Sequence, residues 1–223
     1  MEESWEINSV SHFKSFFKLH IVSTEHFSNE YELINNLSYN FQYLQFLTNV
    51  LKSEELHEVI RRLNIKTYLI VSTSIIESIL DYYLIYKGEY KMCEWKDIEE
   101  SKISSNIFLV SNKPLKNITI TQRKTEPFFV KMKFDDVLKK IKDKKLLGDN
   151  SDLYKSLNNI KKLRNKVHLN NIEGDRDHDW NNFQKTEYYE CSKCLREILK
   201  SNIFNVSIDE LKDKFVFLTN RIK

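Results

Sequence analysis

The chain has 223 residues, a 41% hydrophobic fraction, 30% charged residues, and only 3 Gly and 2 Pro. One domain of ordinary to large size with a real core is expected, and the scarcity of chain breakers favours long regular elements over a turn-rich β-protein. The net charge of +3 permits a nucleic-acid partner without demanding one, and 3 Cys argue against a disulfide framework and for a reducing cytoplasm.

The first ten residues, MEESWEINSV, are acidic and polar, unlike a secretory leader. Residues 9–20 and about 24–52 carry apolar side chains at helical spacing: Phe13, Phe16 and Phe17, then Phe41, Leu44, Leu47 and Leu51. Ser53-Glu-Glu-Leu has the form of a helix start, a hydroxyl followed by first-turn acids. The helix it opens is expected to reach Tyr86, with Gly88 as its stop. Its apolar stretch, Tyr68 to Tyr86, is broken by Ser72, Ser74, Glu77 and Asp81, which marks a core helix and not a membrane span.

Residues 89–133 contain both prolines, Pro114 and Pro127, and period-two runs such as Asn117-Ile-Thr-Ile-Thr. A small β-hairpin or extended insertion around 104–133 is predicted. Helical patterning returns from Asp135 to Leu147, before Gly148. Asn150 or Ser151 can cap a helix running to about His168. A polar, turn-like stretch fills 169–180, a helix spans about 182–201, and Ser207 opens a last helix toward residue 223. The expected organisation is a single mainly α domain: N-terminal helices at 9–52, a core at 55–88 and 135–202, and the 89–133 insertion.

The segment Leu153 to His168 carries the chemistry. Leu153, Leu157, Ile160 and Val167 form an apolar seam whose missing member is Arg164. A charge on such a seam is costly unless paired or solvated. His168, four residues on, would share the helix face, with Asn165 on the flank. The competing explanation is ordinary: cations favour helix C-termini, and an Arg on a seam can extend its head to water. The long helix supplies a counterweight, since Ser74, Glu77 and Asp81 lie on one ridge. Carboxylates on a buried helix need a partner, and Arg164 is the candidate if the two helices pack.

Tyr68-Leu-Ile-Val-Ser-Thr-Ser-Ile-Ile-Glu-Ser-Ile-Leu-Asp-Tyr-Tyr-Leu, followed about 80 residues later by Leu163-Arg-Asn-Lys-Val-His-Leu, resembles a HEPN domain. The resemblance covers roughly 55–88 and 135–202. It implies an antiparallel helical bundle, usually a homodimer, and a metal-independent endoribonuclease of toxin–antitoxin or phage-defence type. It further implies RNA as substrate, an antitoxin or defence partner protein, no cofactor, no metal and no membrane. Within it, Arg164 would grip the scissile phosphate, His168 would act as general acid or base, and Asn165 would orient either. Glu77 and Asp81 would support Arg164, and Lys161, Lys162 and Lys166 would contact neighbouring phosphates. Here three residues separate Arg164 from His168, against four to six in the family pattern. The same fold without cleavage, as an RNA-binding or protein-interaction module, and a purely structural dimerisation protein are the alternatives.

Two other patterns carry weaker signals. Cys191-Ser-Lys-Cys194 has metal-ligand spacing but falls within a predicted helix and lacks a second pair. Asp175, Asp177 and Asp179 alternate as in a calcium loop, but the sixth and twelfth positions are Trp180 and Thr186 in place of Gly and Glu.

Overall fold

The computed structural model describes residues 7–53, 55–97, 104–110, 113–119, 122–167 and 179–222; for the strand residues between 104 and 119 it describes the backbone alone. The described structure is mainly helical, with small antiparallel sheets. By its internal contacts the chain divides into two compact units. One comprises residues 1–89 and 133–223, the other Tyr90–Met132.

The first unit is helical. Helix α1 (Val10–His20) is opened by Ser9, whose side chain accepts from the His12 N–H, and it buries Phe13, Phe16 and Phe17. Helix α2 (Glu30–Lys52) buries Phe41, Leu44, Leu47 and Leu51 on the face expected from their spacing. It begins at Glu30 and not near 24, because residues 24–27 close a bridge between Thr24 and Phe27. Helix α3 (Glu58–Tyr86) forms the centre and packs against α2 and the later helices. Among the described residues it is long and apolar enough to cross a membrane by length and composition, yet 61% of that window is buried inside the fold.

The start of α3 corrects the expectation at Ser53. Ser53 is instead the C-cap of α2, and His57 caps α3, its Nδ1 accepting from the Val59 N–H at 3.3 Å. The physical reason is Arg61. Its guanidinium is buried and reaches back to the end of α2, donating to the carbonyls of Leu51 at 2.8 Å and Ser53 at 2.9 Å. A buried cation thus satisfies orphan carbonyls at the negative end of the α2 dipole, with Glu58 at 3.6 Å as counter-ion. Replacing Arg61 by Met keeps the stem but removes the donors. A loss of about 2–3 kcal/mol is expected, since hydrogen bonds from charged groups exceed neutral ones, and urea unfolding would read it.

Gly88 does stop α3. It sits at φ 67°, with its N–H on the Ile85 carbonyl and the Glu89 N–H on Leu84, the double bond of a Schellman end. Helix α4 (Phe134–Asp143) buries Phe134, Val137, Leu138 and Ile141. It ends four residues before the expected Leu147, because Lys145 takes the left-handed conformation (φ 51°) that Gly148 was expected to supply. Helix α5 (Ser151–Asn165) is capped by the Asn150 side chain on the Leu153 N–H at 3.0 Å. A short turn α6 (Asp179–Asn182) precedes α7 (Lys185–Lys200), which opens with a Gln184–Glu187 capping box. Helix α8 (Ile208–Lys214) has the expected Ser207 cap but does not continue to 223. A 3₁₀ turn at Val216–Thr219 replaces its second half.

Two cores stabilise this unit. Rings from α1, α2 and the C-terminal segment form an aromatic cluster: Phe215 has centroids 5.0 Å from Phe16, 5.2 Å from Phe41 and 5.8 Å from Phe13. Deeper between α3 and α7, Tyr68 and Tyr188 rings meet at 4.5 Å. Their hydroxyls are satisfied by Ser192 at 2.9 Å and Thr48 at 3.4 Å respectively. Burial drives the Tyr68 phenol well above its ordinary pKa and raises that of Tyr188, so both stay neutral.

Among the described residues the second unit holds four strands: β1 (Met92–Asp97), β2 (Ser104–Val110), β3 (Lys113–Thr119) and β4 (Gln122–Phe129). Strand β1 pairs antiparallel with β4, with an irregularity between Cys93 and Trp95, and β2 pairs antiparallel with β3. The strands thus begin twelve residues before the predicted 104, since Met92–Asp97 lacks strict alternation and is recruited by its pairing with β4.

Candidate functional site

Helix α5 presents its apolar seam to the interior: Leu153, Leu157 and Ile160 are buried against α3 and α7. One turn farther on, Arg164 continues that seam, and it meets the carboxylate that the ridge of α3 supplies. Arg164 Nη2 lies 3.6 Å from Glu77 Oε2. The Glu77 side chain is 20% exposed and that of Arg164 43%, so the pair sits at the border between core and solvent. The separation is that of an ion pair and not of a tight hydrogen bond. One carboxylate engages one edge of a guanidinium that carries five N–H donors in a planar fork.

The other ridge residues are not equivalent. Ser74 is exposed and turns its hydroxyl onto the Ile70 carbonyl of its own helix at 2.9 Å. Asp81 is half-buried one turn beyond Glu77.

The end of α5 departs from expectation. The helix stops at Asn165, with Lys166 as C-cap, and does not run to His168. The Lys166 N–H is shared between the Lys162 and Leu163 carbonyls, and Val167 bonds back three residues to Arg164. The ladder therefore tightens and ends, as is common where a weak helix former such as Asn occupies the last turn. His168 lies outside the described residues, as do Asp175, Asp177 and His178. The shared helix face expected for Arg164 and His168 is thus not provided by α5: Arg164 is its penultimate residue, and His168 comes three residues after its end. Asn165 is exposed at that terminus.

The three lysines assigned to phosphate contact take different positions. Lys161 is half-buried and forms an ion pair with Asp135 of α4, which braces α5 against that helix. Lys162 is exposed, and Lys166 is half-buried at the C-cap. Spacing along one helix identified the candidates; the partner on α4 depends on packing that spacing does not encode.

A second tie between distant residues escaped the sequence reading. Lys66 of α3 holds Asp179 at 2.9 and 3.1 Å, and the Arg62 guanidinium lies 4.2 Å over the Trp180 ring and donates to the Trp180 carbonyl. These contacts fasten α6 to α3. The available signal was Arg62 and Lys66 at i, i+4 on one helix. Asp179 spends its carboxylate on Lys66 and not on a cation loop.

Cys191 and Cys194 both face the core from α7. Burial raises both thiols, Cys194 to about 12. Thiolate chemistry at neutral pH is closed to them. With an Ellman-type reagent the native protein is expected to show one accessible thiol, Cys93, and three after denaturation. Rapid reaction of all three in the native state would contradict the packing of α7.

No family model, curated protein or solved structure matches the chain.

Proposed function

We propose that this chain is a HEPN-type, metal-independent endoribonuclease that acts in phage defence or as a toxin. The reading is carried by one observation: Arg164, at the C-terminal end of α5, is held by Glu77 of the long core helix α3, immediately ahead of Asn165 and the His168 segment. An arginine that completes an apolar seam, yet keeps its head at the solvent border, suits a phosphate grip better than a buried strut.

The chemistry needs few groups because RNA carries its own nucleophile. The 2′-OH attacks the adjacent phosphorus, and the 5′-oxygen leaves. His168 takes the proton from the 2′-OH or returns one to the leaving oxygen. Arg164 stabilises the charge that accumulates on the non-bridging oxygens, and Asn165 orients the phosphate or the imidazole. The products are a 2′,3′-cyclic phosphate and a 5′-OH. The resemblance also implies a homodimer with two such helix ends across one cleft, and an antitoxin or other defence partner.

A non-catalytic RNA-binding or protein-interaction module is the second reading. Its specific support is the early end of α5 together with the three-residue gap, which departs from the family spacing. The two are separated by incubating wild type and His168→Ala with total RNA in EDTA. Cleavage that leaves cyclic phosphate ends and is lost in the variant supports the nuclease. Folded wild type that binds RNA without cutting it supports the module.

A further inference from the structure

Helix α5 has a second polar face. Ser151, Lys155, Asn158, Lys162 and Asn165 recur at spacings of 4, 3, 4 and 3, which aligns them in one stripe along the helix. Ser151, Lys155, Asn158 and Lys162 of the stripe form one wall of a groove of about 420 Å³, to which the last turn of α4 contributes Lys142; Asn165 lies beyond its lining. The ring of Tyr154 forms part of its lining. That ring is buried, and its hydroxyl is fastened to the α4–α5 turn by the Leu147 N–H and the Gly148 carbonyl.

The groove gathers cations that lack a carboxylate partner. Among the described residues, Lys140 and Lys144 share Glu89, Lys145 has Asp149 and Lys161 has Asp135, all off the groove; Lys139, exposed on α4, has no ion pair and stands apart from the groove's lining. Lys142, Lys155 and Lys162 have no ion pair, and no carboxylate is among the groove's lining residues. Glu190 accepts from the amide of the lining residue Asn159 at 3.1 Å, and Asp143 and Asp152 neighbour Lys142 and Ser151 in the chain without joining the lining. Three unpaired cations around one concavity repel one another unless an anion lies among them. The concavity is long: Lys155 and Lys162 are separated by about 10 Å along the axis. A single phosphate ion would not span that distance, whereas a chain of phosphates would.

We infer that the α4–α5 groove binds the phosphodiester backbone of a single RNA strand through Lys142, Lys155 and Lys162, and leads that strand along α5 to Asn165 and Arg164. The identity of the strand as RNA rests on the proposed nuclease reading; the groove itself rests on the arrangement of the cations. The assignment changes which lysines matter. Lys162 keeps a role, Lys161 is a brace, and Lys142 and Lys155 are added.

The test uses a fluorescein-labelled single-stranded oligoribonucleotide with a 2′-O-methyl group on every sugar, so that binding is read by anisotropy and no cleavage intervenes. The full-length protein is compared with the triple variant Lys142→Gln, Lys155→Gln, Lys162→Gln over a KCl titration. All three side chains are exposed, so the variant is expected to keep its circular dichroism and melting temperature. A charge-matched control carries Lys18→Gln, Lys52→Gln and Lys212→Gln, remote in sequence from the groove. The groove variant should bind about tenfold or more weakly, with the slope of log K against log salt reduced by about 2, the counterion release of three phosphates on a single strand. The control should bind nearly as wild type. Equal weakening in the control, no binding by wild type, or full displacement of the probe by inorganic phosphate at matched phosphate concentration would overturn the inference. A groove variant that binds as wild type while wild type still cleaves RNA would sink the groove and leave the nuclease. Groove-dependent binding by a protein that never cleaves would do the reverse.

Discussion

Arg164→Ala is expected to lower single-turnover RNA cleavage by about 10²–10³-fold, the usual cost of removing one preorganised donor from a developing oxyanion. Arg164→Lys should recover little of this loss. A guanidinium can meet Glu77 with one edge and a phosphate with the other, whereas an ammonium offers a single point charge for both. Glu77→Gln tests the same geometry from the other side. The 3.6 Å ion pair would be lost, and Arg164 would keep its charge but not its anchor. Cleavage should fall by a smaller factor than in Arg164→Ala, because the donor is still present but less ordered. Equal loss in Glu77→Gln and Arg164→Ala would mean that the pair acts as one unit. Unchanged cleavage in Arg164→Ala would remove Arg164 from the chemistry.

What the sequence revealed and what it concealed divide along a physical line. The apolar faces of α1, α2, α3 and α5 were legible because burial imposes the 3.6-residue period directly on Phe13, Phe41, Ile76 or Leu157. The Arg164–Glu77 encounter was legible for a related reason, since a charge on a seam and a carboxylate on a ridge each require a partner. The ends of elements were not. Ser53 carries a convincing local cap signal, but Arg61, eight residues away, uses its guanidinium to close α2 there. Lys145 occupies the left-handed position ahead of Gly148, which any search for glycine stops would prefer. The end of α5 at Asn165 was concealed by Val167, whose apolar side chain continued the seam in sequence after the backbone had left it. The Lys161–Asp135 and Lys66–Asp179 ties join residues 26 and 113 positions apart, and no periodicity along one helix can report them. The division of labour among the α5 lysines follows from those ties, so it emerged only with the packing.

The largest stability effect is expected at Phe215. This ring follows α8 and lies among Phe13, Phe16 and Phe41, so it joins the C-terminal segment to the two N-terminal helices. It is fully buried. Truncation to Ala removes the ring's transfer energy and leaves a cavity walled by other rings, which cannot collapse without leaving their rotamers. A cost of about 3–5 kcal/mol follows for a Phe→Ala change of this kind. For a unit of this size each kcal/mol moves the melting temperature by roughly 2–4 °C, so a drop of about 10 °C or more is expected. Phe215→Leu refills most of the volume and should cost about 1.5 kcal/mol or less. The cluster is built on α1, α2 and the C-terminal segment, whereas Arg164 is placed by α5 and α3. Well below its melting temperature, Phe215→Ala should therefore keep the specific activity of wild type while Arg164→Ala keeps the stability and loses the activity. A Phe215→Ala protein that melts within a degree or two of wild type would show that the C-terminal segment does not close the aromatic core. One that melts as expected but has also lost cleavage would show that the two helices holding Arg164 depend on that core for their alignment.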